Sequence, residues 1–270
     1  MKIQWLGTAA AEGWPAVFCD CAACRQASVL GGKNIRTRLG AIVDDVLLID
    51  LNPDLYAQKL QLGLDLLKIR DVIITHNHGD HNTPLYMEFR NPVYYGKKLP
   101  VLPVYGPSDV MEALSPYAEF IKMNTVDSGD EFDTYMHHIT TLPAVHNAKL
   151  GKFYLIRRSG KSFLFMHDTG IQCEQALRIL RERTDRPIDL ISMDCTYGPN
   201  PLPPGYTSHM GFAENIRLKE RLLREGVADG HTRFVCAHFS HNGRMLHDQM
   251  CIVMNPYGFE IAYDGMVAEI

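Results

Sequence analysis

The segment DVIITHNHGDHN, residues 71–82, constrains this chain more than any other. An apolar run of β type leads directly into His76, His78, Asp80 and His81. Side chains two apart on extended backbone project to the same side, so His76 and His78 share a face. Gly79 then supplies a turn, after which Asp80 and His81 face the same pocket as a helix begins. Four metal-capable side chains therefore collect at one strand end, where a rigid element positions them. A lone histidine on an apolar face is usually a packing residue, whereas H-x-H-x-D-H is a metal-site pattern. Its nitrogen and oxygen donors fit zinc, manganese or iron.

The rest of the chain supplies the scaffold. KIQWL near the N-terminus, AIVDDVLLID (41–50), VLPVY (101–105), IDLISMD (188–194), RFVCAH (233–238) and FEIAYDG (259–265) read as strands. FYLIRRSGKSFLFM (153–166) reads as a hairpin turning at Ser159-Gly160. A helix is expected after Asn52 as N-cap and Pro53 at its first position. Apolar spacing predicts two more over 173–184 and 212–226, the latter ending at Gly226. The proline-rich GPNPLPPGY (198–206) is a loop too short to separate domains. The expectation is one α/β (α+β) domain spanning residues 1–270, with layered strands and helices outside.

A net charge of −4 gives no general attraction to nucleic acid or to an anionic membrane, so neither is an expected partner. Gln4, Gly7 and Glu12 interrupt the apolar stretch that a secretory signal needs, and no apolar run is long enough to span a bilayer. A cytoplasmic protein with reduced thiols is expected. That bears on FCDCAACR (18–25), where Cys19, Cys21 and Cys24 crowd together. Seven cysteines are too few, and odd in number, for a disulfide scaffold, which favours a metal knot. Three thiolates need a fourth ligand to close a tetrahedral zinc site. Spacing alone leaves Cys195, Cys236, Cys251 and several histidines open for that place. The scattered Cys173, Cys195, Cys236 and Cys251 otherwise read as reduced packing residues.

THNHGDH resembles the metal-binding motif of the metallo-β-lactamase superfamily, hydrolases with an αββα four-layer sandwich. That resemblance implies further ligands, and each appears at the end of an apolar run: His146 in TLPAVHN, Asp168 in FLFMHDTG and His238 in AHFSH. It implies that His76, His78 and His146 hold one divalent metal, that Asp80, His81 and His238 hold a second, and that Asp168 bridges them. Two such ions about 3.5–4 Å apart share a water, lower its pKa towards about 7 and neutralise charge on a phosphoryl or carbonyl oxygen under attack. The remaining histidines read as structural: His137, His138, His231 and His247 as surface or core residues, His167 as packing.

The ordered series GTAAAEGWPA, CDCAAC, LLID, THNHGDH, LPAVHN, DTG, MDC, AHFSH and YDGM resembles the PhnP-type phosphodiesterase family of the carbon–phosphorus lyase pathway, which serves phosphonate metabolism. The resemblance implies a metal-bridging hydroxide that opens a small cyclic ribose phosphodiester. It places a catalytic histidine at His209 in TSHMG, with Thr207 or Ser208 as a helix cap, to bind phosphoryl oxygen or protonate the leaving alkoxide. Asp80 and His209 are thus the candidate catalytic residues. It also selects His241 as the fourth ligand of a structural zinc with Cys19, Cys21 and Cys24, and implies a homodimer. Residues 84–100, PLYMEFRNPVYYGKKLP, depart from the pattern; their aromatic and basic side chains are candidates to shape the pocket and contact a sugar or base, or else form a packed helix end and a solvated loop.

Other readings remain. An RNA-processing nuclease of the same superfamily would need a gripping arm, and none is visible. A non-hydrolytic cofactor-biosynthesis protein related to pyrroloquinoline quinone synthesis shares the N-terminal cysteine knot but would fit incomplete ligation better. Lactonase, thioesterase or β-lactamase chemistry is the third, the last disfavoured without a secretory signal.

Overall fold

The computed structural model describes residues 1–270. The first sheet contains β1 (Lys2–Gly7), β2 (Gly40–Val43), β3 (Leu47–Ile49), β4 (Asp71–Ile73), β5 (Leu102–Gly106) and β6 (Ile121–Thr125). The second contains β7 (Glu131–Asp133), β8 (His138–Pro143), β9 (Lys152–Arg158), β10 (Lys161–Met166), β11 (Leu190–Asp194), β12 (Arg233–Ala237) and β13 (Phe259–Ile261). The last strand, β14 (Val267–Glu269), returns to the first sheet and pairs antiparallel with β1, so each sheet has seven strands. Seven helices accompany them: α1 (Ala22–Leu30), α2 (Leu55–Leu62), α3 (Pro92–Tyr95), α4 (Ser108–Leu114), α5 (Glu174–Arg183), α6 (Phe212–Arg224) and α7 (His247–Met254).

Three apolar layers hold these elements in a sandwich. Trp5, Ile49 and Ile73 meet Tyr154, Phe163 and Phe165 between the two sheets. Ile42, Leu48 and Val72 on the other face of the first sheet pack against Leu55 of α2 and Val110 of α4. Leu155, Leu164 and Ile191 on the other face of the second pack against α5, α6 and α7 through Leu177, Leu218 and Met250. Both faces of each sheet are thus covered, which explains why β11 throughout and β10 beyond Lys161 are buried without polar alternation. The result is the αββα sandwich.

Local departures have physical causes. AIVDDVLLID is a hairpin and not one strand: Asp44 and Asp45 both take positive φ, and Ala41 pairs with Ile49. Asp residues tolerate the left-handed backbone of such a turn, where Asp45 stays exposed and Asp44 pairs with Arg158 and His137. The first helix over that region begins at Leu55, later than Asn52-Pro53 suggests, because Asn52 Oδ1 accepts from Asp54 N–H at 2.9 Å and forms a turn ahead of it. No α-helix begins at Asp80; the chain turns there and enters a 3₁₀ segment only at Pro84. The cap of α6 is Gly211, whose N–H reaches Glu214 Oε2 at 3.1 Å, and not Thr207 or Ser208. Ser159 and Gly160, both at positive φ, turn the β9–β10 hairpin. His167 points to Ser192 Oγ at 2.8 Å, a hydroxyl that also accepts from Trp5 Nε1, so it is a buried packing residue. His137 and His247 are buried too, against Asp44 and Arg36.

Strands β3 and β4 run parallel, as do β10, β11 and β12, and the segments leaving these strands carry the polar cluster. Buried acidic and imidazole side chains therefore gather along one rim, outside the carboxyl ends of parallel strands.

Candidate metal centre

Two of the proposed ligands, and one carboxylate behind them, leave their strands on backbone that few residues adopt. Asp168 and His238 have φ of 50° and 62°, and Asp50, just past β3, has 66°. Left-handed conformations are unfavourable for side-chain-bearing residues and cluster where a site requires them. Here the bend turns a side chain off the strand axis and into the space between the sheets' ends.

The seven candidates lie together. His76 Nε2 is 3.0 Å from His78 Nδ1, which is 3.3 Å from His146 Nε2. His81 Nε2 is 3.2 Å from Asp80 Oδ2 and 3.1 Å from Asp168 Oδ2. His238 Nε2 lies 3.4 Å from the same Asp168 oxygen, while the other, Oδ1, lies 3.6 Å from His146 Nε2. The carboxylate of Asp168 thus turns one oxygen to each half of the cluster.

The opposite ring nitrogens are held from behind. His81 Nδ1 donates to Asp50 Oδ2 at 2.7 Å, and Asp50 is itself fixed by Thr75 N–H at 2.8 Å. His76 Nδ1 faces Thr75 Oγ1, His238 Nδ1 faces Thr196 Oγ1, and His146 Nδ1 faces the Ser208 carbonyl. Such outer partners fix the orientation of a metal-binding imidazole. Asp50, Asp194 and Thr196 were not identified from the sequence; the one signal was an Asp closing a largely apolar run, in LLID and again in LISMD.

Three buried atoms facing inward have no hydrogen-bond partner: His81 Nε2, His238 Nε2 and Asp168 Oδ2. Buried polar atoms are rarely left so. Burial disfavours charge on His238, but Asp168 and Asp194 outweigh it and raise its pKa to about 10. Burial together with the charge of His81 pushes His76 the other way, well below the ordinary range. The carboxylates demand positive charge that the crowded imidazoles cannot all carry. A nitrogen–oxygen donor set with inward orphaned atoms fits divalent cations.

His209 borders this cluster. Burial opposes its protonation, but the charge and hydrogen bond of Asp194 raise its pKa. A cleft of about 720 Å³ opens over these groups, lined among others by His78, Asp80, His146, Asp168, His209 and His238. None of residues 84–100 lines it, so that aromatic and basic stretch does not form the cleft wall; Tyr197 and Tyr206 do.

On the cleft's other flank, Cys19, Cys21, Cys24 and His241 bring one donor atom each to within 4.8 Å of one another. Cys21 Sγ lies 3.8 Å from His241 Nδ1, and that contact lowers the thiol pKa to about 6, whereas burial raises Cys24 to about 11. Cys195, Cys236 and Cys251, open for the fourth place on spacing alone, are not in this group. All seven cysteines are free of disulfides.

The structure is similar to that of a diphosphatase from the PhnP family, with 22% identity, a TM-score of 0.75, and 100% of this chain and 97% of that one covered. It is also similar to Zn²⁺-bound PqqB from Methylobacterium extorquens (16%, TM-score 0.71, 100% of both chains). A third is the short form of human tRNase Z (16%, TM-score 0.65, 100% and 99%). No curated protein sequence matches. The signature of the β-lactamase superfamily domain matches residues 46–239, well over half of the chain. Fold and sequence signature agree: the chain belongs to the β-lactamase superfamily and has its metallo-β-lactamase sandwich.

Proposed function

We propose that the protein is a metal-dependent phosphodiesterase acting on a small diester, a cyclic ribose phosphate being the simplest that fits. The observation that carries the reading is Asp168, whose two oxygens face the two halves of a seven-residue cluster with His209 immediately beside them. His76, His78 and His146 would hold one divalent ion, Asp80, His81 and His238 the other, and Asp168 both. When bound, the ions make a water nucleophilic at neutral pH and neutralise charge on phosphoryl oxygens.

The chain's own residues do the rest. Asp194 and Thr196 engage His209 through Nδ1, at 2.9 and 3.2 Å, leaving Nε2 as the nitrogen for the substrate. The proton held there passes to the departing alkoxide, so His209 acts on the leaving group. Membership of the superfamily and likeness to a PhnP-family diphosphatase support this reading. RNA processing, the activity named for tRNase Z, is less favoured because no Lys or Arg lines the cleft. The full ligand set weighs against the non-hydrolytic reading tied to PqqB. A third ion, held by the cysteine knot, would be a structural zinc clamping the N-terminal loop to the cleft.

The test is an assay of the metal-loaded protein on bis(p-nitrophenyl) phosphate, cyclic phosphodiesters, RNA, thioesters and lactones. Cleavage of the small diesters is expected. Turnover confined to thioesters or lactones would refute the reading.

A further inference from the structure

Strands β10 and β11 lead to Asp168 and Asp194 at their carboxyl ends, and their opposite ends border a second cavity, of about 380 Å³. Lys161, at the start of β10, is separated from Asp168 by roughly 20 Å of extended chain. The two cavities are therefore at opposite ends of the same sheet. Arg157, Arg158, Lys161 and Arg186 line the second one, and the rest of its lining includes three hydroxyls and no apolar side chain. Asp185 is the one carboxylate in it. The cleft over the metal cluster, by contrast, is lined by no Lys or Arg at all.

The carboxylates that hold these cations lie outside the lining. Asp189 pairs with Lys161 at 2.9 Å and with Arg186 at 2.7 Å. Glu131 pairs with Arg157 at 2.7 Å and with Arg183 at 3.0 Å, and Asp44 with Arg158 at 2.7 Å. Five Lys and Arg charges thus share three carboxylates, and positive charge stays in excess with Asp185 counted. His138, also in the lining, is engaged by Asp133 and Glu131. The pairing orients the cationic groups without using all of their donors. Arg157 keeps a buried Nε–H with no partner, which is uncommon for a buried polar atom. The four lining cations are 28–47% exposed, and ion pairs this open to solvent contribute little. A more highly charged anion can therefore compete for the same N–H groups.

The chemistry of the lining selects the anion. Guanidinium forks match phosphoryl oxygens bidentately, and hydroxyls donate to the oxygens between them. Four cations set around one cavity are met by several linked anionic groups and not by one. A nucleobase or an acyl chain would find no apolar or aromatic surface to pack on. We infer that this cavity binds a compact oligophosphate, an anion of two or more linked phosphoryl groups with no large apolar part. The site is separate from the metal cluster and does not rest on the phosphodiesterase reading.

The test is amide NMR of the zinc-loaded protein titrated with methylenediphosphonate, a pyrophosphate analogue without a hydrolysable bridge, and separately with sulfate. Shifts at the amides of Ser159, Gly160 and Thr184 report on this cavity whatever the metal cluster binds. Saturating shifts are expected there, with an affinity for the diphosphonate about tenfold or more above that for sulfate. Arg186→Gln should weaken this affinity about tenfold, because a charge-assisted contact is lost. Asp185→Asn, which removes only a repelling charge, should strengthen it about twofold or more. Neither substitution should alter turnover at the cleft. Asp185→Asn carries the test alone should Arg186→Gln fail to fold. Absence of shifts at these amides, equal affinity for sulfate, or an affinity unchanged by Asp185→Asn would overturn the inference.

Discussion

The Nδ1 atom of His209 lies 2.9 Å from Oδ2 of Asp194, a carboxylate with no solvent exposure. The same carboxylate accepts from the backbone N–H groups of Asp168, Thr196 and Met210 at 3.0–3.1 Å. Asp194 therefore fixes the proposed acid and ties its loop to the strand end bearing the proposed bridging ligand. A neutral imidazole held this way keeps its proton on Nδ1; protonated, it presents Nε2–H to the cleft.

His209→Ala should reduce turnover of diesters with alkoxide leaving groups by about 10²-fold or more, while activated aryl diesters lose much less. The leaving-group dependence of kcat distinguishes the outcomes. Equal losses on both classes would show that His209 does not protonate the departing oxygen.

Asp168→Ala should lower the metal content of the cluster and reduce turnover by roughly a thousandfold or more. Elemental analysis beside the assay checks both parts. Unchanged metal content with unchanged activity would contradict the bridging role.

Cys21→Ser should cost one of three metals per chain and lower Tm, by on the order of 5 °C or more. Metal counting on the unmodified protein gives the baseline. Two ions there, with none released by the substitution, would remove the structural zinc.

Asp189, remote from the cleft, offers a test of pH-dependent stability. It accepts from Lys161 Nζ at 2.9 Å, Arg186 at 2.7 Å and Ser162 N–H at 2.9 Å. Burial pushes its pKa up, but these partners outweigh burial and hold it at about 2. A carboxyl depressed on folding adds stability above its unfolded pKa of about 3.9 and loses it as pH falls through the folded value. Asp189→Asn should therefore cost about 1 kcal/mol at pH 7, since the cationic partners are partly solvated, and the difference should close between about pH 4 and pH 2. Denaturant titrations across that range measure it; a pH-independent difference would deny the linkage.

The parts that could be read from the linear chain were those where composition changes abruptly. His76, Asp168 and His238 each follow an apolar run within two or three residues, so a strand end carrying a polar side chain was visible in each. How the ends assemble was not, because that depends on pairing such as Val72 with Val104 or Asp194 with Ala237, far apart in sequence. The resemblance supplied that assembly, including His241. The partners behind the imidazoles escaped notice because Asp50 and Thr196 look ordinary until the fold brings Asp50 to His81 and Thr196 to His238. Asn52 misled for a local reason, its amide accepting from Asp54 N–H in a turn ahead of the helix. Asp44-Asp45 misled because both take positive φ and turn the chain, with Asp44 accepting from the distant Lys2 N–H of β1.

Gly170, two residues beyond Asp168, meets the His209 loop so closely that a Cβ there would lie 1.8 Å from the carbonyl oxygen of Thr207. The distance from the metal-site rim to the proposed acid is therefore limited by direct contact between two main chains, in addition to the Asp194 carboxylate that ties the same segments. Substitutions along residues 198–206 can vary what the cleft admits while this contact holds the reacting groups in place. The molecule thus separates a tunable wall from a fixed hinge pin, and variants aimed at new substrates have room in the first and almost none in the second.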